Sequence, residues 1–237
     1  MFIGEIAIPT LEELFINKIE QQILSGHLQP GDKLPSERQL QEETKISKTV
    51  IHAGLVALEK KGFIEIKPRC GAFVLDHRIT GSLEAINSLI QYNGGRMTQS
   101  QIQSFFEFRI AVEGTALKKL ALCHDDHMIE ELEAFILKAE EEAQEREVNI
   151  SRLAELFFLY QRSICVFSGN EFFPPLFNEF KPIILQFWES SIRRFGAVPN
   201  VRLARKYLSD IIRGDAQAAM NRLIRSSETY VSSQKID

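Results

Sequence analysis

Residues 29–40 have the sequence QPGDKLPSERQL, and residues 46–51 and 58–74 follow with ISKTVI and LEKKGFIEIKPRCGAFV. The Pro-Gly pair marks a turn, and Ser36 and Ser47 are good helix N-caps. Two short β-prone runs flank the turn residues 68–71. The pattern predicts a helix, a turn, a second helix and a β-hairpin with a basic tip. This arrangement is suited to the DNA major groove and its flanking phosphates.

The remainder of the chain predicts a mostly α protein of two domains. Thr10 is a fair N-cap for a helix ahead of the motif, so the first domain covers residues 1–76. Residues 77–82 are predicted to be a linker, and residues 83–237 an all-α helical bundle. The helices predicted there cover residues 83–92, 99–122, 125–146, 150–167, 172–195, 199–213 and 215–233.

Composition limits the class of protein. The chain has 237 residues, a net charge of −4 and three widely spaced cysteines, which indicates free thiols in a reducing cytoplasm. No signal peptide or apolar membrane span is evident. The sequence contains no GxSxG, HExxH or phosphate-binding glycine loop, so an enzyme is disfavoured.

The basic residues of the first domain cluster in the second half of the motif. A recognition helix needs polar or basic side chains at its N-terminal end and apolar ones behind. The candidate DNA-contacting residues are Arg38, Ser47, Lys48, Thr49, His52, Lys67, Arg69 and Gly71. A three-helix domain with scattered surface charges is the alternative, but the joint placement favours binding to double-stranded DNA.

Residues 30–40 and the hairpin ending GAFV resemble the winged helix-turn-helix domain of the GntR family of bacterial transcription regulators, over residues 10–75. That family usually has Arg at the position of Lys48 and an Arg-Glu pair at His52-Ala53. Lys48 keeps the charge but loses bidentate guanine recognition, and His52 is neutral for part of its titration. We therefore expect an operator that differs from the common family site.

The second domain resembles the helical FCD domain of the FadR subfamily, through residues 105–113 (FFEFRIAVE), 168–170 (SGN) and 211–215 (IIRGD). The resemblance implies an effector cavity in a helical bundle and a homodimer that places two winged domains on a palindromic operator. A cytoplasmic, effector-controlled repressor is therefore expected.

Many FCD domains bind a divalent metal through one Asp and three His. The resemblance aligns those four positions with Phe157, Gln161, Ala204 and Ser226, which do not form a ligand set. We therefore expect no metal and no other cofactor. The run from His124 to His127 is better interpreted as a polar turn than as a surface metal site.

The candidate effector-binding residues are Arg109, Phe157, Tyr160, Gln161 and Trp188. The aromatic residues either line a pocket for an apolar effector or fill the cavity, leaving a constitutive regulator. Arg109 either holds a ligand carboxylate or pairs with Glu113 one turn further on. A fatty acyl-CoA is the favoured effector, and other organic acids remain open.

Overall fold

The computed structural model describes residues 9–233, and the chain divides into two compact units, Met1–Arg96 and Met97–Asp237. The predicted fold class is confirmed. Helices dominate both units, and a two-stranded antiparallel hairpin follows the helix-turn-helix segment. None of the described helices has the length and apolar character needed to cross a membrane.

The first unit is built from locally encoded helices. Its elements are α1 (Leu11–Leu24), α2 (Glu37–Thr44), α3 (Lys48–Lys60), β1 (Ile64–Lys67), β2 (Gly71–Val74), α4 (His77–Thr80) and α5 (Leu83–Tyr92). Capping boxes at Thr10 and Ser36 fix the starts of α1 and α2, and the Ser47 side chain caps α3. Phe15 of α1 packs close to Gly54 of α3, within one apolar core.

The hairpin is held on the helices by its apolar face. Ile64 pairs with Val74 in the antiparallel register, and both side chains are buried in the core. Residues 31–34 extend the hairpin on the β2 side, because the Leu34 amide donates to the Ala72 carbonyl and the Val74 amide donates to the Asp32 carbonyl. The turn before α2 and the hairpin are therefore joined by backbone hydrogen bonds.

The predicted linker at residues 77–82 differs from the structure. Residues 77–80 form α4, and the Thr80 hydroxyl donates to the Gly62 carbonyl. The following helix, α5, packs against α1. Lys61 donates from its amine to both Glu20 and Ser88, which ties α5 to the first unit. These contacts extend the first unit beyond residue 82, to Arg96.

The second unit is a helical bundle. Its elements are α6 (Gln99–Leu122), α7 (Asp126–Gln144), α8 (Ile150–Phe167), α9 (Phe173–Glu179), α10 (Lys181–Phe195), α11 (Ala197–Ile212) and α12 (Ala216–Ser233). The long α6 packs against α8, α11 and α12. The single helix predicted at 172–195 is two helices, because prolines occupy the first turn of α9 and again of α10.

Candidate functional site

The N-terminal end of α3 is a polar, exposed surface. Ser47, Lys48, Thr49 and His52 are all exposed there, while Ile51 and its apolar neighbours face the core. Ser47 accepts a hydrogen bond from the Val50 amide, so this side chain is used as the helix cap. The sequence pattern is therefore realised as one exposed helix end backed by an apolar face.

An acidic residue that the sequence reasoning passed over lies in this surface. Glu37, in the first turn of α2, is 2.8 Å from Nδ1 of His52 and 3.9 Å from Nζ of Lys48. It therefore links the starts of α2 and α3. Arg38 points elsewhere, with 84% of its side chain exposed and only a 3.5 Å contact to Glu42 on the next turn of α2. Such a guanidinium is available to a phosphate or a base edge.

The hairpin tip presents a strained cation. The Cys70 amide donates to the Lys67 carbonyl, closing a turn that has Pro68 second and Arg69 third. Arg69 is exposed and has φ of 63°, in the left-handed region that favours glycine. A bulky residue there costs about 1–2 kcal/mol. The tip therefore carries its guanidinium at the expense of backbone strain.

Lys33 joins this tip, although the sequence reasoning did not select it. It forms an isolated bridge with Phe73, and its amine lies 6.0 Å from the Phe73 ring centroid. Lys67 lies over the same ring at 5.2 Å. Gly71 has φ of 105°, and a Cβ added to it would stand 3.0 Å from Cε of Lys33. The exposed wing surface thus carries one more cation, Lys33, than the candidate residues chosen from the sequence.

The second unit contains a pocket of about 470 Å³ between α6, α10, α11 and α12. Its buried floor is largely aromatic and includes Phe106, Phe187, Trp188 and Tyr230. Burial raises the pKa of Tyr207 in the same wall, so its hydroxyl stays protonated while hydrogen bonded to Ser226. Aromatic rings and a few polar groups are typical of a small-molecule site.

Arg109 lies at the floor of this pocket and is only 4% exposed. The pairing with Glu113 is present, and Arg109 also lines the pocket. Its Nε and Nη2 lie 2.9 and 2.7 Å from Oε2 of Glu113, and the guanidinium is 4.8 Å from the Phe187 ring centroid. Arg109 therefore reaches the pocket, whereas its partner Glu113 is not part of the lining.

The other candidate effector residues form a layer behind the floor. Gln161 donates to Glu113 at 2.8 Å and accepts from the Trp188 indole at 2.7 Å. Phe157 packs on Trp188, with ring centroids 4.5 Å apart. The Tyr160 hydroxyl donates to the Ala204 carbonyl. Of the five predicted residues, Arg109 and Trp188 line the pocket, and the other three support it.

The pocket also has a cationic wall that the sequence reasoning missed. Its members on α11 and α12 are Arg202, Lys206, Arg222 and Arg225. Arg222 is paired with Asp210, which is fully buried. The spacing of these cations gave no distinctive signal, because basic residues at helical spacing usually mark a solvated face.

Two protein-family models match the two units. The model of the bacterial regulatory proteins of the gntR family matches residues 12–74, and the FCD domain model matches residues 104–226. The chain is an FCD-domain member of the GntR family. The matched families are regulators rather than enzymes, as expected from the sequence.

Curated relatives of this GntR-family protein match it over less than half of its length. The Uxu operon transcriptional regulator of Escherichia coli is 28% identical over 93 residues, which are 39% of this chain and 36% of that protein. The regulator Mce2R of Mycobacterium tuberculosis is 30% identical over 99 residues, 42% of this chain and 40% of that protein. The match thus spans well under half the length of these relatives.

A solved structure shows the same fold for this GntR-family protein. Lar, which controls the expression of the Listeria monocytogenes agr system, matches with a TM-score of 0.63 at 14% identity. The match covers 97% of this chain and 98% of that one.

The divalent metal that many FCD domains hold does not fit the residues of this family member. The four positions aligned with its ligands, Phe157, Gln161, Ala204 and Ser226, offer a phenyl ring, an amide, a methyl group and a hydroxyl. The Gln161 amide is already engaged on both sides, and Ser226 bonds to Tyr207. Within residues 9–233, no three His, Cys, Asp or Glu residues are grouped to hold a metal.

Proposed function

We propose that this protein is a sequence-specific DNA-binding transcriptional regulator, a cytoplasmic repressor of the FadR subfamily, controlled by a small-molecule effector. The observation that carries the proposal is the presence, in one chain, of a GntR-type winged helix-turn-helix and an FCD domain with an aromatic, cation-walled pocket. The curated relatives that match part of this chain are themselves named as transcriptional regulators.

The DNA-contacting surface is proposed to combine three parts. The exposed start of α3 enters the major groove, Arg38 on α2 contacts a phosphate or guanine, and the basic wing lies along the flanking backbone. The exposure of Lys48, His52 and Arg69 supports this assignment. Because Lys48 and His52 share Glu37 as a partner, base recognition there is proposed to differ from the bidentate pattern of the family.

A homodimer is the proposed functional state. Two winged domains related by a two-fold axis read half-sites about one helical turn apart, so the operator is expected to be palindromic. An effector that binds one arrangement of the dimer better than the other changes operator affinity by its differential binding free energy.

The effector is proposed to be a fatty acyl-CoA or another apolar carboxylate derivative. A pocket of about 470 Å³ lies within the range of small-molecule sites, and its aromatic floor suits an apolar segment. The second candidate function, a constitutive regulator with a filled cavity, is favoured only by the aromatic layer behind the floor. The open pocket supports effector control over that alternative.

DNA binding is tested by selecting duplexes from a random library and then measuring affinity against salt. Affinity is expected to fall steeply as salt rises, because phosphate contacts release counterions. Lys48→Gln is expected to weaken binding and, if Lys48 contacts a phosphate, to lower the salt slope by about one. Lys18→Gln, which removes an exposed lysine from α1, is the matched control. Affinity that does not change with salt would rule the interface out.

Effector control is tested by native mass spectrometry of the protein as purified, followed by operator binding after ligand removal. The expected result is a dimer with a retained organic ligand and no stoichiometric metal. Operator affinity that is identical with and without the ligand supports the constitutive alternative. Bound zinc, nickel or manganese that a Gln161 substitution removes would contradict the metal-free assignment.

A further inference from the structure

Charge is distributed unevenly between the floor and the mouth of the pocket. At the floor, Arg109 is neutralised by buried Glu113, and in the wall Arg222 is paired with buried Asp210, which also pairs with Arg213. The exposed residues of the lining define the mouth. Its cations are Arg202, Lys206 and Arg225.

The three mouth cations have no counter-charge among residues 9–233. Among the described residues none of them has an ion-pair partner, and no carboxylate lines the pocket within residues 9–233. The chain as a whole has 32 acidic and 28 basic residues, so composition alone does not account for an all-cationic wall. Arg202 and Lys206 are four residues apart on α11, where like charges repel each other. The arrangement therefore favours a negatively charged partner at the mouth.

The floor favours a different chemical group. An anion placed against Arg109 would also lie near the charge of Glu113, which is already bonded through two guanidinium nitrogens and the Gln161 amide. A neutral acceptor, such as a carbonyl or ester oxygen, accepts a hydrogen bond from the Arg109 guanidinium without that repulsion. The rings of Phe106, Phe187 and Trp188 then cover the adjoining apolar segment.

We infer that the ligand of this pocket is an amphiphile with a dianionic head, such as a phosphate monoester, held at the mouth by Arg202, Lys206 and Arg225, with its apolar segment on the aromatic floor. The inference rests on the proposed function, in which this pocket is the effector site. It reverses the orientation expected for Arg109, which recognises a neutral group instead of holding the charged one. A phosphate monoester carries about −1.5 to −2 charges at neutral pH, against −1 for a carboxylate.

The contributions of the head-group charge and of the apolar segment are separated with three probes: octyl phosphate, octanoate and inorganic phosphate. Trp188 is the single tryptophan of the chain and lies in the pocket wall, so its fluorescence reports occupancy. Octyl phosphate is expected to bind roughly tenfold more tightly than octanoate at low salt, since the extra charge faces several cations in a water-like dielectric. The preference is expected to shrink as salt screens the exposed mouth. Inorganic phosphate, which lacks the apolar segment, is expected to bind more weakly than octyl phosphate.

Variants locate the charge recognition. The double variant Arg202→Gln with Arg225→Gln is expected to bring the two octyl probes to within about twofold of each other, while octanoate binding changes less. Arg146→Gln removes one exposed arginine outside the pocket and is expected to leave the preference unchanged. All the substituted side chains are exposed, so circular dichroism is expected to show native helix content in the double variant and in Arg146→Gln.

The inference is overturned if octanoate binds as tightly as octyl phosphate, if octyl phosphate shows no saturable binding, or if the double variant keeps the full preference. Operator binding is measured separately. A protein that prefers octyl phosphate but binds no DNA would refute the proposed regulator and leave the ligand class intact. A protein that binds its operator but shows no phosphate preference would refute the ligand class and leave the proposed regulator intact.

Discussion

Glu113→Gln tests whether the buried pair at the pocket floor holds the second unit together. Glu113 and Arg109 are 3% and 4% exposed, so both charges are largely removed from water. The carboxylate accepts from Arg109 through one oxygen and from Gln161 through the other. Glutamine keeps one acceptor oxygen, but its amide nitrogen is then directed at another donor. The variant leaves a buried guanidinium without a counter-charge.

Breaking a buried pair on one side costs about 3–5 kcal/mol, because the remaining charge stays desolvated. The same chemical change at an exposed pair provides the control. Glu140 pairs with Arg205 at 2.8 Å, with side-chain exposures of 35% and 36%. Glu140→Gln is expected to cost about 0–1 kcal/mol, since water screens that pair and the Arg205 side chain also contacts Glu133.

Urea unfolding followed by Trp188 fluorescence measures the free energy of unfolding of both variants, because Trp188 lies in the same unit as the two ion pairs. With an m-value of about 2 kcal/mol per M, Glu113→Gln is expected to lower the midpoint by about 2 M. Glu140→Gln is expected to lower it by less than about 0.5 M. Equal shifts for the two variants would refute the reasoning, since burial would then not determine the cost.

Three further outcomes are expected. Gly54→Ala places a Cβ 2.5 Å from Cδ1 of Phe15. Overpacking is expected to cost about 1–3 kcal/mol, which outweighs a helix-propensity gain of about 1 kcal/mol, so the protein is expected to be less stable. A rise in the thermal midpoint would contradict this. Arg69→Gly is expected to relieve about 1 kcal/mol of strain at φ 63° in chemical denaturation while weakening DNA binding; unchanged stability would argue against strain. Burial raises the pKa of Cys165, so its thiol is expected to resist alkylation at neutral pH, whereas the two exposed cysteines react rapidly. Equal alkylation rates for all three cysteines in a time course would contradict the burial of Cys165.

Local signals made the first unit predictable. Ser36 and Ser47 determine helix starts through hydrogen bonds that their side chains accept from backbone amides three residues further on. The paired apolar residues Ile64 and Val74 decide which face of the hairpin is buried. The boundary of the unit was not predictable in the same way. It depends on Lys61 reaching Glu20 and Ser88, contacts between residues 27 and 41 positions apart.

The pocket was only partly accessible from sequence. Arg109 was found because residues 105–113 resemble a known domain, and Trp188 was found as an aromatic residue of the same predicted domain. The cations of α11 and α12 were missed, because a sequence does not show which exposed helical face a cavity will open onto. Phe157 and Gln161 were placed near the site, but which side chains face the cavity and which support it depends on how α6, α8 and α10 pack. Glu37 was passed over because a carboxylate does not suggest a DNA-facing surface.

The attachment of α5 to α1 determines which part of this protein is exchangeable. Similarity to the DNA-binding family ends at residue 74, so a chimera designed from alignment would be cut between β2 and α4. That cut discards Ser88, a partner of Lys61, and Ala85, which is buried in the core of the first unit. A graft carried through Arg96 retains both. The piece that can be transplanted intact is therefore about twenty residues longer (96 against 74) than the piece that sequence similarity outlines.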